Sequence, residues 1–415
     1  MALTSHQFRG IVDALAQVLP FTYPADAVMS HFFREHRKLG SGDRQVISET
    51  IYATLRRYNF LSALIAPDEV TPRHLAIAAL LRLRGHNLRE ISDQLSDDEK
   101  KFAISLKGRG SQLDLTARSE LPAWVIEKLD WPEEEIVLLG QSLQQAAPLD
   151  LRVNSFKAKR KNVLEQLSAE GIGATETPHS PFGIRLKEKL QLQKHPLFLE
   201  GMVEVQDEGS QLLGLLVGAK RGEMVVDFCA GAGGKTLLLG AAMANTGRVY
   251  AFDVSAKRLD NLSPRLKRSG LSNIGATLIT SETDARIKRL NGKIDRVLVD
   301  APCSGMGTLR RNPDLKFRQS PQSVKELNVK QSAILESASY LLKPGGRLVY
   351  STCSLLVDEN EAIVEAFLAK HPEYQLMPIV EALPKIELGA GNYLHLYPHR
   401  HATDGFFAAV MVRSS

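Results

Sequence analysis

The stretch GEMVVDFCAGAGGKT at residues 222–236 joins a short apolar run to a glycine-rich loop. The apolar run is typical of a buried strand, and the glycines are typical of a turn whose backbone comes close to a ligand. Strand and helix sequences then alternate, with further strands at 247–253, 295–300 and 346–352. This alternation predicts an α/β fold with a parallel sheet between two layers of helices, and ligands at the carboxyl ends of the strands.

The loop from Cys229 to Lys235 matches neither of the two common phosphate-binding patterns. A triphosphate loop requires a glycine where Cys229 stands, and a dinucleotide loop requires one where Thr236 stands. What remains is a loop of small residues close to a ligand. Asp253 ends the next strand, 22 residues after Gly231, where nucleotide-binding α/β sites place the acid that holds ribose hydroxyls. A simple helix cap is the alternative for Asp253.

All three cysteines, Cys229, Cys303 and Cys353, follow predicted strands. An isolated buried cysteine usually serves as a small apolar residue, but three at strand ends favour a shared crevice and thiol chemistry. A thiolate that adds to carbon 6 of cytosine makes carbon 5 nucleophilic, and a base must later remove the carbon-5 proton. Asp300 can hydrogen-bond the exocyclic amine and the protonated ring nitrogen, which selects cytosine over uracil.

The order of these motifs resembles that of the RsmB/Sun/Nol family of RNA cytosine-5 methyltransferases. The motifs are DFCAGAGGKT at 227–236, Asp253, DAPCSGMGTLRRNP at 300–313 and STCS at 351–354, with VQDEGSQL at 205–212 and DGFF at 404–407. The resemblance runs from about residue 146 to the end. It implies a Rossmann-like class I methyltransferase sheet, S-adenosylmethionine as cofactor and RNA as substrate.

The resemblance also implies roles for single residues. Cys353 is the implied nucleophile, Cys303 assists release of the product, and Asp300 completes the catalytic set. The implied cofactor-binding residues are Cys229, Ala230, Gly231, Ala232, Gly233, Gly234, Lys235, Asp253, Asp284 and Asp300. Asp284 is the first choice for the acid after the third strand, and Glu282 is the alternative. Gly231 and Ala232 replace the alanine and proline of the commoner family loop.

Three domains are predicted: an all-helical domain at 1–145, a small α+β module at 146–205 and the catalytic domain at 206–415. GDRQVISETIYATLRR at 42–57 resembles the NusB-like RNA-binding domain that some family members carry. The middle module is similar to the RNA-recognition-like subdomain of the family. A helical domain of this kind favours ribosomal RNA over transfer RNA by analogy.

The formal net charge of +5 is compatible with a polyanionic partner but does not demand one. Two cationic stretches are candidates for contacts with RNA phosphates, and a solvated surface is the alternative for each. The candidates are Arg152, Lys157, Lys159, Arg160 and Lys161 in one run, and Arg310 and Arg311, with Lys316 and Arg318, in the loop after Cys303.

Three cysteines are too few for a disulfide framework, and the N-terminus lacks a signal peptide. No apolar stretch approaches a membrane span of about 18 residues. We therefore expect a cytoplasmic monomer without a membrane partner. Zinc at His395, His399 and His401 is disfavoured because no cysteine is near, so no metal is predicted. Two rival functions remain: a DNA cytosine methyltransferase with Cys303 as nucleophile, and a catalytically inactive RNA chaperone, which would not need both thiols.

Overall fold

The computed structural model describes residues 3–188, 190–389 and 391–414. The chain forms two compact units: the first combines residues up to Ala146 with Thr308–Pro321, and the second combines Ala147–Gly307 with Gln322–Ser415. Among the described residues, no helix is both long enough and apolar enough to cross a bilayer.

The described part of the first unit is helical, as predicted. Its N-terminal core is apolar, and α5 at its centre buries every residue from Leu75 to Leu80. The helices before the small sheet are α1 Ser5–Val18, α2 Ala25–Glu35, α3 Ser41–Arg56, α4 Tyr58–Ile65, α5 Pro72–Arg82, α6 Leu88–Ile91, α7 Asp97–Ser105, α8 Leu115–Ser119, α9 Ala123–Leu129 and α10 Glu133–Gln144.

The small sheet in the second unit has four antiparallel strands, β1 Leu149–Val153, β2 Ala174–Glu176, β3 Gly183–Leu186 and β4 Val203–Val205, in the order β2-β3-β1-β4. The remaining helices are α11 Arg160–Ala169, α12 Pro196–Leu199, α13 Glu208–Leu216, α14 Gly234–Ala242, α15 Ala256–Ser269, α16 Ala285–Lys288, α17 Leu315–Arg318, α18 Pro321–Ser339, α19 Glu361–Lys370, α20 Ile379–Ala382 and α21 Pro398–His401. Apolar residues of α11 pack on the small sheet, which gives this module its own core.

The large sheet follows the order β7-β6-β5-β8-β9-β12-β10, and β11 pairs with β12. Its strands are β5 Met224–Asp227, β6 Arg248–Asp253, β7 Ile274–Leu278, β8 Ile294–Asp300, β9 Leu342–Thr352, β10 Tyr374–Met377, β11 Tyr393–Leu396 and β12 Phe406–Arg413. The predicted parallel α/β sheet is confirmed, although β12 runs antiparallel to both of its neighbours in the order. The chain reverses its direction of travel at β5, and that switch point opens a crevice at the carboxyl ends of the strands.

The segment Thr308–Pro321 was predicted to belong to the domain at 206–415, but the structure groups it with the helical unit. The Phe317 ring stacks on Phe21, with 4.4 Å between centroids, and meets Tyr58 edge-on. Lys316 Nζ lies 2.9 Å from Glu120 Oε2, and both side chains are almost fully buried. The stretch was interpreted from its cationic residues, so the apolar contacts of Phe317 with the helical unit were not predicted.

Replacement of Lys316 by methionine should destabilise the first unit, because the buried Glu120 carboxylate keeps its hydrogen bonds from the Asn59 and Phe60 N–H groups but loses its closest cation, with only Arg57 left at 3.7 Å. Loss of one partner of a buried ion pair costs about 3 kcal/mol of unfolding free energy. The matched control is Lys100→Met, which breaks an exposed pair with Asp97 and should cost less than about 1 kcal/mol. Urea unfolding of both variants checks this; equal, small losses would contradict it.

Candidate active site

A cavity of about 520 Å³ opens at the carboxyl ends of the central strands of the second unit. Its volume lies within the usual range for small-molecule sites. It is lined by the loop after β5 and by residues from the neighbouring strand ends, among them Asp227, Asp253, Glu282, Asp300, Cys303 and Cys353. The structure therefore brings most of the predicted catalytic and cofactor-binding residues to one place.

Two glycines allow the loop after β5 to turn into α14. Gly231 and Gly233 have φ values of 56° and 81°, in the left-handed region that other residues rarely adopt. A Cβ on Gly233 would also lie 2.1 Å from Cδ1 of Leu262, whereas a Cβ on Gly231 would meet nothing within 4 Å. Gly233 thus serves packing and backbone geometry together, while Gly231 leaves the cavity side of the loop open.

Arg152 was predicted to contact RNA phosphates, but the structure buries it beneath the cavity loop. Its guanidinium donates hydrogen bonds to the Gln206 side chain and to the carbonyl of Gly234, at the start of α14. Burial lowers its pKa to about 10. Arg152 therefore anchors the loop from the small sheet. This anchoring role was not predicted, because Arg152 was grouped with the cations that follow it and its hydrogen bond to Gln206 has no local sequence signal.

Asp253 holds the glycine-rich loop by its backbone. One carboxylate oxygen accepts a hydrogen bond of 2.8 Å from the Gly231 N–H, and the other accepts one of 2.7 Å from Ser255. The hydroxyl of Ser255, not Asp253, caps α15 by accepting from the Arg258 N–H. Asp253 therefore holds the glycine-rich loop and is not the cap of α15.

The acid after the third strand of the large sheet was predicted as Asp284, and the structure favours the alternative. Glu282 lines the cavity, whereas Asp284 caps α16 outside the lining. The Asp284 carboxylate is engaged by Arg286 and Thr280, and the hydrogen bond from Arg286 is the main reason that its pKa lies well below the usual range. Spacing alone could not separate two acids that stand two residues apart.

Asp300 is paired with the lysine of the loop. Lys235 Nζ lies 2.7 Å from Asp300 Oδ2, and the Ser351 hydroxyl donates to Asp300 Oδ1 at 3.2 Å. Burial alone would lower the pKa of Lys235, but attraction to the Asp300 carboxylate outweighs burial and raises it. The cavity therefore contains a charged Lys235 paired with Asp300, and both residues line it together with the cysteines.

Cys303 and Cys353 are close neighbours at the mouth of this cavity. Their Sγ atoms are 3.3 Å apart, both thiols are free, and the Cys353 N–H donates to Cys303 Sγ at 3.3 Å. The hydrogen bond with Cys353, followed by burial, raises the pKa of Cys303 well above its usual value. Cys303 therefore retains its proton.

Asp227, at the end of β5, is a cavity residue that the sequence reading did not single out. Thr236 donates to its Oδ2 at 2.6 Å, but its buried Oδ1 has no hydrogen-bond partner among the described residues. Burial raises the pKa of Asp227 to about 7. The sequence feature that could have identified Asp227 is its position, two residues before the small-residue loop that starts at Cys229. A carboxyl group with one unsatisfied oxygen suits a cationic ligand.

The cations after Arg152 divide into engaged and exposed side chains. Lys157 Nζ donates to the carbonyls of Glu200 and Arg268, and Arg160 donates to the carbonyl of Ser180 and to Glu176. Lys159 and Lys161 are exposed, and Lys161 makes only a long, exposed ion pair of 3.8 Å with Glu165. Only these two of the run are arranged as a phosphate-binding surface would require.

The predicted phosphate-binding loop after Cys303 is mostly internal to the first unit. Arg310 is 5% exposed, Arg311 is half-buried and Lys316 is committed to Glu120. No group of three or more metal-binding side chains was found in the described part of the chain, His395, His399 and His401 included.

The strand order of the large sheet, with its antiparallel β12, and the small-residue loop after β5 are those of Rossmann-like class I methyltransferases. A family model described as 16S rRNA methyltransferase RsmB/F matches residues 215–412, and one described as an RsmF/B-like ferredoxin-like domain matches 121–193. The chain is 35% identical over 303 residues to the probable ribosomal RNA small subunit methyltransferase B of Synechocystis, covering 72% of this chain and 68% of that protein. The chain therefore belongs to the RsmB/F family.

Further relatives agree. The ribosomal RNA small subunit methyltransferase B of Klebsiella pneumoniae is 34% identical over 306 residues, which cover 70% of this chain and 66% of that protein. The crystal structure of a methyltransferase homolog protein from Pyrococcus horikoshii aligns with a TM-score of 0.64 and 29% identity, over 72% of this chain and 98% of that one. The crystal structure of PH0851 aligns over 99% of both chains, with a TM-score of 0.80 and 26% identity. These alignments confirm the predicted family and fold class.

Asp227→Asn should stabilise the protein without cofactor at alkaline pH. The folded state holds the Asp227 proton up to about pH 7, whereas the unfolded state releases it near pH 4, so stability falls as pH rises between these values. Asparagine cannot ionise and escapes this loss, which amounts to at most about 4 kcal/mol.

Urea unfolding at pH 5.5 and pH 8 measures the difference, which should grow with pH. Asp295→Asn is the control of opposite sign, because Asp295 is partly buried but its hydrogen bonds, chiefly from Lys343, lower its pKa. That variant should lose stability at both pH values. A pH-independent difference for Asp227→Asn would contradict the assignment.

Proposed function

We propose that this protein is an RNA cytosine-5 methyltransferase that uses S-adenosylmethionine and modifies a cytidine of ribosomal RNA. The observation that carries the proposal is the pair of free thiols, Cys303 and Cys353, 3.3 Å apart in the same cavity as the glycine-rich loop. The ribosomal substrate is supported by the names of the relatives, which are methyltransferases of small-subunit ribosomal RNA.

The cavity suits S-adenosylmethionine, which would supply an electrophilic methyl group on a cationic sulfur. Asp227 lines the cavity, and its carboxyl group would attract that positive charge. The loop from Cys229 to Lys235 would approach the ligand with its backbone, and Asp253 would hold the ribose hydroxyls. Glu282 takes the place first assigned to Asp284, because it lines the cavity.

Cys353 acts as the nucleophile. Its thiolate adds to carbon 6 of the cytosine ring, the displaced electron pair moves through carbons 5 and 4 to ring nitrogen 3, which takes a proton from solvent, and carbon 5 becomes electron-rich. Asp300 hydrogen-bonds the amino group and the protonated nitrogen of the ring, while Lys235 holds that carboxylate in place through its hydrogen bond of 2.7 Å. Carbon 5 then forms its bond to the methyl group, whose bond to the donor sulfur breaks and leaves the electron pair on that sulfur.

Cys303 serves the release step. Water acting as the base removes the carbon-5 proton, the electron pair restores the double bond between carbons 5 and 6, the bond from carbon 6 to sulfur breaks, and ring nitrogen 3 returns its proton to solvent. The departing electron pair returns to Cys353 Sγ as a thiolate, which the Cys303 S–H stabilises by a hydrogen bond across 3.3 Å. Without Cys303, the covalent adduct would accumulate.

The two thiols should separate in a trapping experiment. Cys303→Ala should accumulate a covalent RNA adduct that resists denaturing electrophoresis, because elimination is slowed. Cys353→Ala should give neither adduct nor methylated RNA. An adduct with Cys353→Ala and none with Cys303→Ala would favour the DNA-type mechanism, and binding without transfer by the unaltered protein would favour the RNA chaperone.

The target is tested by bisulfite sequencing of ribosomal and transfer RNA from cells with and without the gene. We expect one cytidine of small-subunit ribosomal RNA to lose its protection when the gene is absent. Lost protection in transfer RNA alone would overturn the ribosomal assignment while leaving the chemistry intact.

RNA affinity should depend on the exposed lysines of the small module. Replacement of Lys159 and Lys161 by alanine removes two candidate phosphate contacts and should flatten the slope of log affinity against log salt by roughly 1.4 to 1.8. The matched control is the double replacement of Lys220 and Arg221, which are also exposed but precede β5 at the opposite end of the sheet from the cavity.

Filter binding across a salt series distinguishes the two double variants. A slope that the Lys159 and Lys161 replacements leave unchanged would make this run a solvated surface. RNA binding by the helical unit, expected from the resemblance to a NusB-like domain, is part of the same proposal, and its failure would appear as an unchanged affinity for RNA when exposed cations of α1–α5 are replaced.

A further inference from the structure

A buried carboxylate, Glu359, lies beneath the two cysteines and has no part in the mechanism above. It is fully shielded from solvent and belongs to the short turn Val357–Glu359 before α19. No sequence motif pointed to it. Its hydrogen bonds join the two loops that carry the thiols.

Each cysteine is followed by a buried serine whose hydroxyl donates to this carboxylate. Ser304 donates to Glu359 Oε2 at 2.5 Å, and Ser354 donates to the same oxygen. The N–H of Ser304 donates to Oε1 at 2.8 Å. Gln331 donates to Oε1 at 3.0 Å and also to the carbonyl of Pro302 at 2.9 Å. One side chain therefore binds the residue that follows each thiol.

All the donors to Glu359 are neutral, and no ion pair with a cation occurs for it in the described part of the chain. A buried carboxylate is costly unless hydrogen bonds satisfy it. A site that needed only packing would be filled at least as well by an apolar side chain. A carboxylate has two oxygens and can accept hydrogen bonds from the Ser304 loop and the Ser354 loop at once, which an apolar side chain cannot do. We explain the buried carboxylate by this role.

We propose that Glu359 is a positioning residue that holds the Cys303 and Cys353 loops at the separation needed for addition and release. It acts through Ser304 and Ser354 and touches neither thiol nor substrate. The neighbouring Asn360 supports the second loop, since it accepts from Thr352 at 2.6 Å and donates to the Ser354 carbonyl at 3.2 Å. The chemical role of the thiols rests on the proposed function, but their separation does not.

Thiol–disulfide exchange measures that separation without RNA or methyl donor. Oxidised glutathione takes two hydrogens from the Cys303 and Cys353 thiols, forms the disulfide between them and leaves as two reduced glutathione molecules. The equilibrium constant is the effective concentration of one thiol at the other. Peptide mapping by mass spectrometry identifies the linked cysteines and distinguishes them from Cys229.

Glu359→Ala should lower this effective concentration at least about tenfold, because the loops lose their common acceptor. Its kcat for methyl transfer should fall by about a hundredfold or more, while the KM for S-adenosylmethionine stays within about threefold. Glu359→Gln should restore both readouts to within about threefold of the unaltered protein, since the amide oxygen can accept from Ser304 and Gln331 while its NH₂ donates to the rotatable hydroxyls.

Ser354→Ala provides a milder test if Glu359→Ala does not fold. It removes the hydroxyl that ties the Cys353 loop to Glu359 and should lower the effective concentration in the same direction. Its matched control is Ser339→Ala, a buried serine whose hydroxyl donates to a helix carbonyl at Glu336, away from the cavity. That control should leave both readouts unchanged.

Unchanged thiol exchange in folded Glu359→Ala, or in Ser354→Ala, would overturn the positioning role. So would an equal loss in Glu359→Ala and Glu359→Gln, because it would show that charge matters and hydrogen-bond geometry does not. If thiol exchange falls as expected in a protein that transfers no methyl group even when unaltered, the proposed function fails and the positioning role stands.

Discussion

The parallel pairing of β8 with β9 is the constraint on which the rest of the site depends. In this register Asp300 lies opposite Ser351, so both strands end at the same level of the sheet. Cys303 follows one strand by three residues and Cys353 follows the other by one. Since a slip of one residue would turn every side chain of a strand to the other face, the register also decides whether the thiols meet. The 3.3 Å approach of the two sulfurs follows from it.

Polar groups are then placed in this crevice with little access to water. Lys235 and Asp300 balance one another, but Asp227 keeps an unsatisfied oxygen and a pKa near 7. Such an arrangement is unfavourable for the protein alone, and a positive charge bound in the cavity would offset part of that cost by electrostatic attraction. The strain is therefore located where ligand binding can relieve it, which is typical of functional sites and not of packing cores.

The features of the fold and site that were predictable are those that depend on local pattern. The alternation of strands and helices gave the sheet, and residues directly after strands gave the loop, Asp253, Asp300 and the thiols. Features that depend on contacts distant in sequence were missed. Arg152 meets Gln206 and Gly234, 54 and 82 residues away. Glu359 meets Ser304 across 55 residues. The distribution of charged residues was the least reliable guide to RNA-binding residues, because the sequence does not distinguish a cation exposed to solvent from one that is hydrogen-bonded to a buried carbonyl.

The segment after the first catalytic loop shows why a linear division of this chain is insufficient. Gly307 still belongs to the catalytic unit, where its N–H donates to the Cys353 carbonyl at 2.9 Å. The next residue, Thr308, begins the stretch that completes the helical unit, with Phe317 between aromatic rings and Lys316 paired with Glu120. A cut after Ala146 would therefore deprive the helices of a part of their own unit and leave a buried carboxylate without its cation. Because that part is covalently continuous with the Cys303 loop, the helical unit cannot be treated as an appended module that folds without the catalytic sequence.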